Sequence, residues 1–266
     1  MKFSKCALVL AVFVTAGSLL AKETVSYNEK AQWQGNASLS QIEGGIALKG
    51  NTFVLSKPFP VDLEKKYTIR YTVSVKDLPA DEKLTLTIGF FVYNAGKRVI
   101  FCDNICAVKN SFTKTLADAK KGDTAILVEK AAKANAQAWN NLAIGAKEDL
   151  SDLPNWNIVG RNVKSIAQQD NGWLITFASP LTKDVPAETF VRLQSTGGYL
   201  GTGGYGVKVT TEPQTITGSI QGTAPAGIWT KSKWPVGTAS AALFIQPATK
   251  AKDFTLEFKD FSIEVE

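Results

Sequence analysis

The 266-residue chain contains no histidine, three cysteines and a single methionine, the initiator. Each scarcity closes off some chemistry. Without imidazole there is no Ser-His-Asp or Cys-His relay, no side-chain base titrating near neutrality in its ordinary state, and no histidine-ligated zinc, copper or non-haem iron. Catalysis is left to carboxylates, lysine, tyrosine, arginine or a metal held by oxygen. Neither sign of charge is in large excess: 30 Lys and Arg face 24 Asp and Glu, spread along the chain rather than clustered, which does not point to nucleic acid. With 44% hydrophobic and 20% charged residues the composition is that of an ordinary globular protein, neither disordered nor fibrous.

One apolar run stands out. Ala7 to Leu20, behind Lys2 and Lys5, has the length and flanks of a secretory leader and falls short of a bilayer span. Cleavage after Ala21 is expected; cleavage after Ser18, with Ala16 three residues before the cut, and an uncleaved N-terminal anchor are the alternatives. Cys6 comes too early for a lipoprotein signal. Removing residues 1–21 leaves 28 basic and 24 acidic residues, a net charge of +4, in a protein expected to be secreted or periplasmic. No second stretch approaches membrane length. In an oxidising compartment Cys102 and Cys106, in FCDNIC, are expected to close a small disulfide loop, because a C-x3-C metal site lacks two further soft ligands.

Beyond the leader the hydrophobic period is two almost everywhere. Thr68 to Val75 alternates Ile69, Tyr71, Val73 and Val75 against polar neighbours, as a half-buried strand does. Leu84 to Tyr93 continues the pattern, Asn94-Ala95-Gly96-Lys97 supplies a turn, and Arg98 to Cys102 returns, which predicts a hairpin. Ser240 to Ile245 and Phe254 to Val265 predict closing strands. Between them the character changes. Gly122 to Glu129, Val159 to Ile166, Trp173 to Phe177 and Thr189 to Leu193 predict short strands around an Ala-rich stretch with a helical turn near Lys130 to Trp139. The expected organisation is all-β: a sandwich from residues 22–106 and 194–266, interrupted by a small β unit at 107–193.

KPFPVDLEKKYTIRYTVSV, LTIGFFVYNAGKRVI and the C-terminal FTLEFKDFSIEVE together resemble the jelly-roll carbohydrate-binding modules. There a Pro-Val opening, a charged turn, a Tyr-led strand and a Tyr-x-x-Gly-Lys turn precede a last strand carrying an Asp. KKGDTAILVE, WNNLAIG, NVKSIAQQDNGWLITFASPL and AETFVRL are similar to small β-barrel units of phage-tail and adhesin-like extracellular proteins. The resemblance implies a jelly-roll β-sandwich with a small β-barrel-like insert and a polysaccharide or glycan as partner. It also implies a structural calcium, for which only Asp260 matches; calcium takes about six to eight oxygens, so a solvated strand residue is the other reading of Asp260.

Sugar binding asks for exposed aromatic planes and a few groups to take hydroxyls. The candidates are aromatics outside the alternating strands: Tyr199 and Tyr205 in the near-repeat TGGYLG and TGGYG, and Trp229 and Trp234 in IWTKSKWP. A plug at one end of the sandwich is the other reading of the two tryptophans. Tyr71, Phe90, Tyr93, Phe254, Phe258 and Phe261 are expected in the interior. Asp103, Asp149 and Asp152 are the only acids worth weighing for glycan cleavage, and Asp152 before Leu153-Pro154-Asn155 suits an Asx turn. The expected function is a non-catalytic carbohydrate-binding or surface-adhesion module. Its alternatives are a structural component of an extracellular assembly and a small glycan-cleaving enzyme. A sugar module leaves two or more aromatics exposed together, whereas an assembly protein leaves an apolar patch or a bare strand edge.

Overall fold

The structure, a computed structural model, describes residues 22–34 and 37–266. The expected leader, with Cys6, lies outside the described residues. Eight strands precede residue 101: β1 (Glu23–Ser26), β2 (Leu39–Ile42), β3 (Gly45–Lys49), β4 (Val54–Leu55), β5 (Phe59–Pro60), β6 (Lys66–Lys76), β7 (Thr85–Tyr93) and β8 (Val99–Ile100). Seven follow: β9 (Thr113–Lys114), β10 (Ala125–Val128), β11 (Asn140–Ile144), β12 (Ile158–Gly160), β13 (Val163–Gln169), β14 (Gly172–Phe177) and β15 (Phe190–Ser195). The last are β16 (Leu200–Lys208), β17 (Gln214–Gln221), β18 (Ser240–Ala248) and β19 (Thr255–Val265). Helical structure among the described residues is confined to single 3-10 turns, and none is long and apolar enough to cross a membrane.

Two antiparallel sheets enclose the larger core. The first runs β17-β6-β19-β3-β2, with β1 beside the C-terminal end of β19; the second runs β16-β7-β18-β4, with β5 on β18 and β8 on β7. Alternation decides what each strand buries. Tyr67, Ile69, Tyr71, Val73 and Val75 of β6 meet Leu86, Ile88, Phe90 and Val92 of β7 in one cluster with Leu243, Ile245, Leu256 and Phe258. β19 would turn its second half outward but for a bulge between Lys259 and Ser262. The extra residue, Asp260 at a left-handed φ of 51°, shifts the phase so that Phe261 and Ile263 also face the core.

β16 lies against both sheets at glycines of the neighbouring strands. A side chain on Gly89 of β7 would place its Cβ 1.8 Å from the Leu200 carbonyl oxygen, and one on Gly218 of β17 would lie 1.8 Å from that of Thr202. Only bare backbones pass at this distance. The Tyr71 hydroxyl donates to the Gly203 carbonyl at 2.9 Å inside the fold, joining β6 to the same strand.

Residues 113–195 form two further sheets, β10-β14-β13 and β12-β11-β15-β9, around a second cluster that includes Ile126, Val128, Leu142, Val159, Ile175, Phe177, Val191 and Leu193. The helical turn expected near Lys130 to Trp139 is present as a 3-10 turn (Lys133–Asn135), and a strand, β11, follows it and pairs with β15 from Asn140 to Ile144. Two expectations change here. The strand expected from Val159 to Ile166 is broken in two at Asn162, whose φ is 57°. Asp152 forms no Asx turn; that role falls to Asp149, which accepts from Ser151 N at 3.0 Å.

Asp152 instead pairs with Arg192 of β15. The guanidinium reaches the two carboxylate oxygens at 2.8 and 3.1 Å, with 2% and 7% of the Arg and Asp side chains exposed. Asp152 also accepts from Lys147 N at 3.0 Å and Asn155 Nδ2 at 2.9 Å. From the same loop Leu153 enters the larger core, and Trp156 donates to the Val99 carbonyl at 2.8 Å beneath the Arg98 guanidinium. The loop therefore fastens the 113–195 sheets to the sandwich. Burial alone would raise the Asp152 pKa, but the hydrogen bonds from Arg192, Asn155 and Lys147 hold it below the ordinary 3.8. A depressed folded-state pKa contributes stability that is present above 3.8 and lost as pH falls through the lower value. Asp152→Asn, which leaves Arg192 buried without its counter-charge, is expected to cost about 3–5 kcal/mol at neutral pH in urea unfolding. The gap to the native protein should narrow as the pH is taken below 3.8.

Candidate functional site: an aromatic face on the second sheet

The pleat that buries Phe90 and Val92 leaves Phe91 and Tyr93 on the outer face of the second sheet. On β18 the same alternation puts Phe244 outside, where it is covered. Phe53, from the turn before β4, stacks on Phe244 at 5.7 Å with planes 16° apart, and Tyr199 lies 5.3 Å from it. Tyr199 reaches Phe53 at 5.8 Å and Phe91 at 6.1 Å. Phe91 continues to Tyr93 at 5.8 Å and, edge-on, to Phe101 at 5.5 Å. Phe53, Tyr199 and Phe101 are 37%, 38% and 44% exposed, so the rings form one accessible face.

Tyr205, 64% exposed, extends that face along β16. A Cβ on Gly198 or Gly201 would meet the tyrosine at 2.9 and 3.0 Å, so the glycines clear the surface on which it lies, beside Thr87. At the opposite end, past Tyr93, opens a cavity of about 570 Å³ lined by Gln34, Lys57, Pro58, Phe59, Pro60, Tyr93, Lys97 and Ser240. Burial raises the Tyr93 phenol above its ordinary value and keeps it a hydroxyl. Between Tyr199 and Phe101 a slot of about 40 Å³, too small for a sugar ring, is lined in part by Cys102, Gly197 and Trp229.

The structure separates the four aromatics singled out from the sequence. Tyr199 and Tyr205 lie on the exposed face, although Tyr205 belongs to a strand and not to a loop. Trp229 is half-buried against the larger core. Trp234 is fully buried, its ring 4.8 Å from Phe90 and 5.4 Å from Tyr67, and is no contact residue. Tyr93, expected inside, faces outward. Phe53, Phe91 and Phe101 escaped the sequence argument. For Phe91 the signal was there: two adjacent phenylalanines in a period-two strand cannot both point inward.

The remaining candidates divide as well. Cys102 and Cys106 are thiols in this structure, not the expected disulfide, with Sγ atoms 2.8 Å apart across one 3-10 turn. The hydrogen bond between the two sulfurs, with burial, pushes Cys102 up; the same bond and the one accepted from Trp229 N hold Cys106 down against its own burial. Asp260 is exposed on the β19 bulge. No cluster of three acidic or thiol side chains forms among the described residues. Asp103 pairs with Arg161 at 3.3 Å, Asp149 caps its own turn and Asp152 is committed to Arg192.

Gly89→Ala tests what positions Tyr199. The added methyl must displace the Leu200 backbone, which is expected to cost about 1–3 kcal/mol. Circular dichroism in the near ultraviolet should report loss of tyrosine packing.

No protein-family model, curated protein or solved structure matches the chain.

Proposed function

We propose that the chain is an exported, non-catalytic carbohydrate-binding or surface-adhesion module of jelly-roll type, whose ligand lies along the aromatic face of the second sheet. The observation that carries this reading is the continuity of rings from Tyr199 through Phe91 to Tyr93, ending in a cavity with an amide, a hydroxyl and two ammonium groups. A pyranose has an apolar C–H face that rests on an aromatic plane and a rim of hydroxyls that needs polar partners. An open face several rings long suits an extended polymer better than a small molecule. The separate engagement of Asp103, Asp149 and Asp152 supports a binding role, since glycan cleavage requires two acids flanking one bond.

Export carries a consequence for the cysteines. In an oxidising compartment the two thiols are proposed to join, losing two hydrogens to an oxidant such as a periplasmic disulfide carrier. Intact mass with and without reductant checks this: the secreted protein should be two hydrogens lighter before reduction.

A second reading, a structural component of an extracellular assembly, is favoured by apolar exposure on the 113–195 sheets. Phe112 and Phe190 stack at 5.4 Å, and Phe190 and Trp139 stand more than half exposed. A glycan array decides between them. Native protein should bind one or more polysaccharides, with or without calcium, and Tyr199→Ala combined with Tyr205→Ala should weaken that binding at least about tenfold. Silence of folded protein across neutral and acidic glycans favours the assembly role.

A further inference from the structure

We propose that the site prefers an acidic polysaccharide, one whose sugar carries a carboxylate or sulfate that enters the cavity beyond Tyr93. This rests on the glycan reading and narrows it. Among the described residues Lys57 and Lys97 are the only charged side chains lining that cavity, and both have the same sign. Neither is ion-paired among the described residues, whereas Lys22, Lys66, Lys76 and Lys114 each hold a carboxylate. Two uncompensated ammonium groups around one concave surface raise the local concentration of anions.

The backbone adds an independent observation. Lys97 has φ of 59°, a left-handed position that favours glycine or asparagine, and Gly96 stands directly before it. The turn is fixed by Lys97 N to the Asn94 carbonyl at 2.9 Å and Arg98 N to Asn94 Oδ1 at 2.8 Å. A long cationic side chain is thus kept at a strained position on the cavity rim, where a glycine would serve the turn better. Lys57 is held from the other side, its N–H donating to the Gln32 carbonyl at 2.8 Å and Pro58 following it. Gln34 Nε2 donates to the Ser56 carbonyl at 2.7 Å, and its amide oxygen, with no partner among the described residues, is placed to accept from a sugar hydroxyl. A pyranose on Tyr93 then has an apolar floor, an amide and a hydroxyl at its rim, and two cations for its acidic substituent. Lysine is a point charge without the planar fork of arginine, so the site is not built to separate carboxylate from sulfate.

Isothermal titration with polygalacturonate, its carboxyl-reduced neutral counterpart and a sulfated galactan tests this. The native protein should bind at least one charged polymer about tenfold or more tightly than the reduced one, and added salt should erode the difference. Lys57→Ala with Lys97→Gly, which relieves the turn and should leave the melting temperature unchanged or raised, should abolish the preference. Lys57→Glu should do so alone. Equal binding of charged and reduced polymers, or a preference that survives in the double variant, overturns the inference while the glycan reading stands. Failure to bind any saccharide, charged or neutral, removes both.

Discussion

Residue 89 has no side chain, and the aromatic face depends on that. The Leu200 carbonyl oxygen occupies the space a Cβ would fill, so β16 lies against β7 closely enough to carry Tyr199 over the outer surface of the second sheet. Gly218 makes the same concession to Thr202 on the first sheet, and Tyr71 reaches from the core to the Gly203 carbonyl between them. One glycine-rich strand therefore straps both sheets. Gly89 and Gly218 lose more backbone freedom on folding than other residues would, a cost offset by the close approach of β16 to both sheets. Fold and candidate site consequently share residues: what sets the spacing of the sheets also sets Tyr199 beside Phe53 and Phe91.

The attachment of the 113–195 sheets uses different physics. Where β7 and β16 meet through bare backbone, β15 meets the loop at 147–157 through a buried guanidinium and carboxylate. A buried ion pair is weak as a source of stability, because desolvation takes back most of the attraction, but its geometry tolerates little displacement. Leu153 and Trp156 supply the apolar part of the same contact. The pair accordingly specifies orientation, and the apolar side chains supply adhesion.

Strand alternation was legible in the sequence because period two is a direct consequence of the pleat. The larger sheets follow it from Tyr67 to Val75 and again from Leu86 to Val92. What could not be read was decided by contacts distant in sequence. Trp234 resembles Trp229 in its surroundings along the chain, yet only Trp234 finds Phe90 and Tyr67. Asp260 resembles a strand acid until the bulge gives it a left-handed backbone and a purpose in keeping Phe261 inward. β11 hides in an alanine-rich run because pairing with β15, not propensity, makes it a strand. The Tyr-Gly clusters pointed to the surface correctly, but as a strand edge, since nothing in TGGYG announces that the glycines serve close approach more than mobility.

A face of partly exposed rings, tilted against one another, would favour a particular kind of binding if it takes the proposed ligand. Each ring is already packed on another, Phe53 on Phe244 and Phe91 between Tyr93 and Tyr199, so little side-chain freedom is left to lose when a ligand arrives. A sugar laid on such a surface would meet the rings on one side only. Affinity on such a surface grows with the number of sugar units laid down, and selectivity must come from its edge, where the rings end and the polar groups begin. In this molecule that edge is the Tyr93 cavity. On the proposed reading the rings would set how long a ligand must be, and Gln34, Lys57, Lys97 and Ser240, which line that cavity, would set which one stays.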